Sequence, residues 1–236
     1  MVSYPKSGNT WLRFLVANLK SQADVDVSFA NIESLVPDIY RNSNQQLLSL
    51  PQPRILKSHE CYQARYPRVI YIVRDPRDVA ISYYHHLVKA RKLEQSDMIE
   101  AWLPDFIAGK FHPQFGTWAT HVESWRKGTL GASNFLLVKY EDLLENPVEV
   151  LGEVARFLSI PPEQARLEKA IELSRADRMR QLEIEENWQP FAGNMRQDMR
   201  FVRAAIAGDW QNHLSTIAVE TIETAWRSPM NALGYL

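Results

Sequence analysis

The sequence predicts an α/β fold: a single doubly wound domain over residues 1–236, with a central, mostly parallel sheet flanked by helices. Short apolar runs alternate with longer stretches of helical periodicity, which is the pattern of strands joined by crossover helices. The run at 68–74, RVIYIVR, is continuously apolar between its arginines, as expected of a strand buried on both faces. A chain of 236 residues is long enough to bury a sizeable core.

Composition excludes several classes of protein. Apolar residues make up 45% of the chain and charged residues 23%, with a formal net charge of −1, which gives no sign of a nucleic-acid-binding or membrane-surface protein. Cys61 is the one cysteine, so an internal disulfide and a multi-cysteine metal site are excluded, and a reducing compartment fits. No apolar run is long enough to span a membrane and no signal segment precedes Lys6. We therefore expect a cytoplasmic protein with a small-molecule partner, no nucleic acid and no membrane span.

The first part of the chain shows three strands and one clear helix. Residues 1–4 indicate the end of a strand, and the apolar residues within 11–19 recur at the spacing of a helix face. Residues 21–52 are polar and irregular, with helical spacing only in places. A second strand is predicted at 54–58, and the third is the apolar run at 68–74.

The later elements alternate in the same way. Asp75 as N-cap and Pro76 as first helical residue open a helix that is predicted to run to about Lys92. The elements that follow are a helical, aromatic-rich region at 93–131, a buried strand at 134–140, amphipathic helices at 147–160 and 162–174, a loop or lid at 181–203 containing Pro190 and Gly193, and a last helix at 215–227.

The stretch between the first strand and the first helix carries the residues of an anion-binding loop. Tyr4-Pro5-Lys6-Ser7-Gly8-Asn9-Thr10-Trp11 contains one lysine, one glycine and three small hydrogen-bonding side chains. The first N–H groups of a helix lack partners, Gly8 lets the backbone approach a ligand, and Lys6 adds a full charge. Lys6 precedes the glycine, whereas a nucleotide triphosphate loop needs its lysine after the second glycine. Because small polar residues are common at N-caps, an ordinary strand-to-helix turn is the alternative.

Three chemically active side chains follow predicted strands: Lys6, His59 and Arg74. Ligands of doubly wound sheets bind beyond the carboxyl ends of the strands, so we expect these side chains in one site. His59 suits a general base near neutral pH, although a lone histidine after a strand is more often structural. Arg74 offers a planar fork for phosphate, and Ser82, two turns into the next helix, adds a hydroxyl donor.

These motifs resemble those of the cytosolic-type sulfotransferases, which use 3′-phosphoadenosine 5′-phosphosulfate (PAPS), and they follow that family's order from Tyr4 to Trp210. The matching segments are YPKSGNTWL at 4–12, KSH at 57–59, VRDPRDVAISYY at 73–84, YED at 140–142 and RAAIAGDW at 203–210. The resemblance implies an α/β fold with a P-loop-like phosphosulfate-binding loop. It also implies sulfuryl transfer from PAPS to a hydroxyl or amine, which leaves 3′-phosphoadenosine 5′-phosphate (PAP) and needs no metal.

The resemblance implies a role for each matching residue. The phosphosulfate loop would be Lys6, Ser7, Gly8, Asn9 and Thr10, the 3′-phosphate site Arg74, Ser82, Arg203, Ala204 and Ala205, and the adenine site Trp11, Tyr140 and Ser174. His59 would take the proton of the acceptor, with Lys57 near the sulfuryl group. Lys6 would meet the charge that grows on the bridging oxygen. Ser82 would keep Lys6 from acting before the acceptor arrives.

Some positions depart from the family's pattern. The lysine and glycine of the C-terminal segment are replaced by Ala204 and Ala205, and a lost charge-assisted contact costs about 1.5–3 kcal/mol where buried, which predicts weaker donor binding. Ala176 stands where the family often has an aromatic residue near the adenine. Gln211 replaces the first residue of the family's dimer motif while Glu220 matches, so the oligomeric state is left open.

Other polar residues are interpreted as structural. Arg77 and Asp78 are expected to form surface ion pairs of little energetic weight. The remaining histidines have no partners at the spacing of metal ligands and are interpreted as surface or core residues; they are His85, His86, His112, His121 and His213. His85, His86 and His121 are also candidates for lining an acceptor pocket.

A sulfotransferase is the predicted function, and two alternatives stay open. The alanines at 204–205 favour a non-catalytic PAP-binding protein, whereas a nucleotide kinase would need a Walker lysine and an acidic magnesium ligand, neither of which is evident. The aromatic-rich region 83–125 and the loop 181–200 are expected to shape a pocket for an apolar or aromatic acceptor, because apolar pockets are usual for small molecules.

Overall fold

Parallel pairing forms the centre of the fold. The computed structural model describes residues 1–21, 25–129, 131–188 and 195–236. Strands β1 (Val69–Val73) and β2 (Phe135–Lys139) pair in parallel, with Val69 opposite Phe135. The long crossover between them contains three of the four helices that cover one face of β1.

Single parallel bridges extend the sheet on the other side of β1. Val2 bridges Tyr71 of β1 and also Ser58, and Lys57 bridges Asp38. The order across the sheet is therefore β2, β1, residue 2, residues 57–58 and residue 38, all in parallel. The predicted α/β class with a central, mostly parallel sheet is confirmed, while the strand predicted at 54–58 is reduced to bridges at two residues.

Eleven α-helices surround this sheet in the described part of the chain. They are α1 (Asn9–Ser21), α2 (Ile32–Leu35), α3 (Asn44–Ser49), α4 (Pro76–Lys89), α5 (Ile99–Ile107), α6 (Trp118–Gly128), α7 (Tyr140–Glu145), α8 (Pro147–Phe157), α9 (Gln164–Leu173), α10 (Ala176–Glu185) and α11 (Thr216–Leu233). Helix α4 begins as predicted, because the Asp75 carboxylate accepts a hydrogen bond of 2.9 Å from the Arg77 N–H and Pro76 is the first helical residue. Among the described residues, none of these helices has the length and apolarity needed to cross a membrane.

The side chains of β1 alternate between two hydrophobic cores. Ile70 and Ile72 pack with residues of α1, α8 and α9, whereas Val69, Tyr71 and Val73 pack with residues of α4, α5, α6 and α11. Each of the five is at most 4% exposed. Both faces of the strand are therefore covered by helices, which is the physical reason for its continuous apolar sequence.

Two predicted elements differ from the structure in character or extent. The strand at 134–140 was predicted to be buried, but Leu137 in β2 is 37% exposed because β2 pairs only with β1 among the described strands. The loop predicted at 181–203 starts with the last turns of α10, which is held by the buried side chains of Met179 and Leu182. Pro190 and Gly193, on which part of that loop prediction rested, lie outside the described residues.

The last helix is longer than its sequence pattern indicates. Helix α11 continues to Leu233, although Trp226 has non-helical dihedral angles and Pro229 lies inside the helix. Trp226 and Met230 are both buried in the core on the α4 side of the sheet. Tertiary packing therefore continues the helix through a bend at which local propensity would end it.

Candidate functional site

A cleft of about 990 Å³ lies beyond the carboxyl end of β1, bounded by α1, α4, α10 and the segment 201–205. It is lined by most of the residues predicted from the sequence: Lys6, Gly8, Asn9, Thr10, Trp11, Lys57, His59, Arg74, Ser82, Tyr140, Arg203, Ala204 and Ala205. Ser7 and Ser174 are fully buried and do not line it. The structure thus brings together Lys6, His59 and Arg74, which come from three separate parts of the sequence.

The loop before α1 has the backbone of an anion cradle. Gly8 has a φ of +94°, and a Cβ there would lie 2.5 Å from Cδ2 of Tyr140, so only glycine fits. Lys6 also has a positive φ, of +70°, which for a residue with a side chain is a strained conformation typical of functional loops. Helix α1 begins at Asn9, directly after the glycine, so its first N–H groups belong to this loop.

Lys6 supplies the positive charge of this loop. Its Nζ lies 4.7 Å from the centroid of the Phe201 ring, and it has no carboxylate partner among the described residues. Burial and, to a lesser extent, the charges of Arg74, Arg203 and Lys89 together lower the pKa of Lys6 to about 8. Lys6 is therefore mostly charged at neutral pH, and an anion in the cleft would stabilise this charged form.

The geometry of His59 determines which ring nitrogen is free. His59 Nδ1 lies 2.7 Å from the carbonyl oxygen of Ser3, and because a carbonyl only accepts, Nδ1 carries the proton and Nε2 keeps its lone pair. Burial, followed by the charge of Lys57, holds the pKa of His59 well below its ordinary value of 6.5. The ring is therefore neutral at neutral pH, which is the form that a general base requires.

A buried polar chain holds the peptide of His59. His121 Nε2 lies 3.0 Å from the His59 carbonyl oxygen, and the Tyr71 hydroxyl lies 2.8 Å from His121 Nδ1. The carbonyl accepts, so His121 donates through Nε2 and accepts the Tyr71 hydroxyl at Nδ1. Burial lowers the pKa of His121 to about 4, which keeps the ring neutral. His121 is thus a core residue behind the cleft and does not line an acceptor pocket.

Lys57 reaches the cleft as one half of an ion pair. Its Nζ lies 2.7 Å from Oδ2 of Asp38, and both side chains are mostly buried. The ammonium also lies 5.3 Å from the centroid of the Tyr40 ring. Burial lowers the pKa of Lys57, while the Asp38 carboxylate opposes this shift. The sequence did not indicate that Asp38 would neutralise this lysine.

The Arg74 guanidinium is oriented by groups around it but keeps an unpaired donor. Its Nη2 donates to the Ile206 carbonyl at 2.8 Å and to Asp78 Oδ2 at 3.3 Å, and the group lies 4.3 Å from the centroid of the Tyr140 ring. Arg74 Nε and Ser7 Oγ are buried without a hydrogen-bond partner in the described part of the chain. Buried unpaired donors are costly, and because Arg74 lines the cleft while Ser7 does not, a ligand with acceptor oxygens, such as a phosphorylated nucleotide, fits the Arg74 side of this site.

The segment 203–210 is attached to α4 through Asp78. The backbone N–H groups of Gly208 and Trp210 each donate to the Asp78 carboxylate at 2.9 Å. Asp78 is 1% exposed and Arg77 is 8% exposed, and the Arg77 guanidinium pairs with two carboxylates and lies 4.1 Å from the centroid of the Trp210 ring. The interpretation of Arg77 and Asp78 as surface pairs was therefore wrong, because the C-terminal part of the chain folds over them.

One of the two alanines in this segment, Ala205, has a backbone conformation that glycine adopts readily. Ala205 has a φ of +56°, in the left-handed region that disfavours side chains. Arg203 pairs with Asp209, which is buried. Ala204, at the position where the resemblance places a lysine, carries no charge on this side of the cleft.

The adenine side of the predicted site is only partly present in the cleft. The rings of Trp11 and Tyr140 meet edge to face at 5.5 Å, and both line the cleft. Ser174 instead accepts a hydrogen bond of 3.0 Å from Asn18 Nδ2 inside the core. Ala176 does line the cleft, but without the ring that the family often has there.

The structure also shows which rings and histidines lie in the cleft near His59. Around His59, the Tyr40 ring lies parallel at 6.3 Å and the Phe115 ring lies at 5.6 Å. His112 and the predicted His86 line the cleft, whereas His85 does not. His86, His112 and Phe115 belong to the aromatic-rich region 83–125 that was expected to shape the acceptor pocket. Tyr40 comes from residues 21–52, for which the sequence predicted no role in the site.

Comparison with known proteins agrees with this geometry. The profile of the family described as "Sulfotransferase domain" matches residues 1–234. Sulfotransferase 1B1 of Canis lupus familiaris is 27% identical over 98% of this chain and 82% of its own length. The crystal structure of mouse sulfotransferase SULT7A1 complexed with PAP superposes with a TM-score of 0.72 at 23% identity, over 97% of this chain and 82% of that one.

A second solved structure has the same fold. Retinol dehydratase in complex with androsterone and the inactive cofactor PAP superposes with a TM-score of 0.75 at 18% identity, over 97% of this chain and 79% of that one. At such identities the structures support the fold, and the family profile supports the function. Because that profile spans nearly the whole chain, the protein belongs to the sulfotransferase domain family and is a PAPS-dependent sulfotransferase.

Proposed function

We propose that this protein transfers a sulfuryl group from PAPS to a hydroxyl or amine of a small acceptor with an apolar or aromatic surface, by in-line displacement with His59 as general base. The observation that carries the proposal is the presence of Lys6, His59 and Arg74 in one cleft. A cleft of about 990 Å³ is large enough for a nucleotide and a small acceptor together.

The donor would be held by polar groups that line this cleft. The N–H groups at the start of α1 and the charge of Lys6 suit the 5′-phosphosulfate, and Arg74 Nε with the Ser82 hydroxyl suits the 3′-phosphate. PAPS supplies an activated sulfuryl group whose leaving group is a phosphate. The role of Ser82 in restraining Lys6 before the acceptor arrives belongs to the same proposal.

His59 and Lys6 would act at the two ends of the displacement. His59 Nε2 accepts the proton of the acceptor as the acceptor oxygen or nitrogen forms its bond to sulfur. The bond from sulfur to the bridging oxygen breaks with its electron pair on that oxygen, and Lys6 stabilises the charge that develops there. Positioning and charge stabilisation supply most of the rate, as in phosphoryl transfer. Lys57 contributes near the sulfuryl group as a lysine already paired with Asp38.

The acceptor would bind on the side of the cleft where aromatic rings surround His59. Tyr40 and Phe115 lie beside the imidazole, and Phe201 covers Lys6. Flat apolar walls next to the base favour an aromatic or alicyclic alcohol over a strongly charged acceptor.

The substitution His59→Ala separates binding from chemistry. We expect PAP to raise the thermal stability of this variant as it does that of the wild type, by about 2.7 kcal/mol at 100 times its dissociation constant. Turnover of PAPS with a panel of simple phenols and alicyclic alcohols should fall by about two orders of magnitude or more. His85→Ala is the matched control, because His85 lies outside the cleft.

Unchanged turnover in His59→Ala would remove this residue from the mechanism. A wild-type protein that binds PAP but converts no acceptor would contradict the proposed transfer and favour the non-catalytic PAP-binding protein.

A further inference from the structure

Most basic side chains that line the cleft are paired with a carboxylate. The paired residues are Arg13, Arg41, Lys57, Arg74, Arg175 and Arg203. Two others, Lys6 and Arg180, have no carboxylate within 4.0 Å among the described residues. Cations without a nearby carboxylate attract ligand anions most strongly, and Lys6 already belongs to the proposed phosphosulfate loop. Arg180 therefore marks a second anion position.

The Arg180 guanidinium is held by three backbone carbonyls, and one of its nitrogens has no partner among the residues that the structure describes. Its Nε donates to the Val202 carbonyl at 3.1 Å, and its Nη2 donates to the carbonyls of Arg203 at 2.9 Å and Ala204 at 3.1 Å. These bonds use three of the five N–H groups of a guanidinium. The two N–H groups on Nη1 donate to no residue in the described ranges. The plane of the group is thus fixed in advance, which lowers the entropy cost of binding an anion.

Arg180 lies where the segment 202–206 has lost a charge. Arg180 contacts the backbone carbonyl of Ala204, the residue at which the resemblance places a lysine of the 3′-phosphate site. Arg74, the other arginine of that site, contacts the carbonyl of Ile206, two residues further along. Two residues span at most about 7 Å, so both guanidinium groups lie against one short stretch of backbone.

We infer that Arg180 binds the 3′-phosphate of the donor nucleotide and supplies the charge that Ala204 does not. This inference rests on the proposed use of PAPS. Arg180 acts from α10, where Met179 beside it is buried in the core and anchors the helix against the cleft. The chain thereby keeps two arginines for the 3′-phosphate, although its C-terminal segment lacks the lysine.

Calorimetric titration with PAP and with 5′-AMP, which lacks the 3′-phosphate, tests the inference. In Arg180→Gln we expect the affinity for PAP to fall about 10- to 100-fold, while the affinity for 5′-AMP changes little. Arg178→Gln is the matched control, since Arg178 lies on the same helix, pairs with Glu185 and does not line the cleft. Adding Ala204→Lys to Arg180→Gln should restore most of the preference for PAP.

The alternative is that Arg180 only clamps the segment 202–204. In that case Ala204→Lys would not restore the preference for PAP in Arg180→Gln, because the segment that carries residue 204 would stay displaced, and this outcome overturns the inference. Should Arg180→Gln fail to fold, Arg180→Lys keeps the charge without the fork, and a loss confined to PAP supports the inference while an equal loss overturns it. A wild type that does not prefer PAP over 5′-AMP overturns the proposed function as well, whereas a full preference in Arg180→Gln overturns this inference alone.

Discussion

At the scale of single residues, the site depends on which side chains are charged before a ligand arrives. His59 is neutral because it is buried beside Lys57, and its Nδ1–H is committed to the Ser3 carbonyl. Lys6 is charged at neutral pH but has its pKa lowered to about 8 by burial and neighbouring cations. The base and the cation that the proposed reaction needs are therefore both present near pH 7.

The lowered pKa of Lys6 predicts how PAP affinity depends on pH. An anion binds the charged form of Lys6, and this lysine loses its proton as the pH rises through about 8. We expect the dissociation constant of PAP to rise by up to about tenfold for each pH unit above that value. Calorimetric titration between about pH 7.5 and pH 9.5 measures this, since phosphate groups are fully ionised over that range.

Lys6→Arg is the control for this pH dependence. Arginine stays charged over the whole range, so its profile should be flat. A flat profile for the wild type would show that Lys6 does not titrate in the free protein, and the account of its burial would then fail.

At the scale of elements, one turn of α4 connects the two halves of the cleft. Asp78 accepts from the backbone at Gly208 and Trp210 and pairs with Arg74, so it joins the C-terminal segment to the end of β1. The same carboxylate orients Arg74, the arginine that we propose for the 3′-phosphate. A residue inside a helix thereby determines where a distant loop lies.

Asp78→Asn should destabilise the protein strongly. Removing one partner of a buried ion pair typically costs about 3–5 kcal/mol, since the other charge stays buried. The free energy of unfolding in urea should fall by about 3 kcal/mol or more. Glu123→Gln, which breaks an exposed pair with Lys127, is the control and should cost less than about 1 kcal/mol. Equal losses in the two variants would contradict the structural role given to Asp78.

At the scale of the whole molecule, two hydrophobic cores pack on opposite faces of the sheet, and the cleft lies at the edge of the sheet. The core on the α4 side is completed by α11, whose Ile222 and Met230 are fully buried. No residue of α11 lines the cleft. Stability and ligand binding should therefore be separable along this helix.

Ile222→Ala tests that separation. The loss of a fully buried isoleucine should lower the free energy of unfolding by about 2–5 kcal/mol, because it leaves a cavity. PAP affinity at a temperature where the variant remains folded should match that of the wild type. Ile217→Ala, at a position 74% exposed, is the control and should change neither quantity measurably. A loss of PAP affinity in Ile222→Ala would show that the cleft depends on the distant core.

The sequence by itself determined the features that local physics controls. Three short segments each predict their own structure from a few residues: the cap and proline at 75–76, the apolar strand at 68–74 and the loop at 4–11. The order of the strands along the chain then predicted that Lys6, His59 and Arg74 lie at one edge of a sheet. The α/β class and the family followed from the same local segments.

Only the tertiary structure decided which polar groups meet. The pairing of Lys57 with Asp38, the burial of Asp78 under residue 208, the withdrawal of Ser174 into the core and the contact of Arg180 with residues 202–204 all join positions far apart in the chain. The sequence around a charged residue is the same whether its hydrogen bonds go to water or to a distant backbone amide. Its burial and its partner depend on how the helices pack, and this is settled when the two cores form around the sheet.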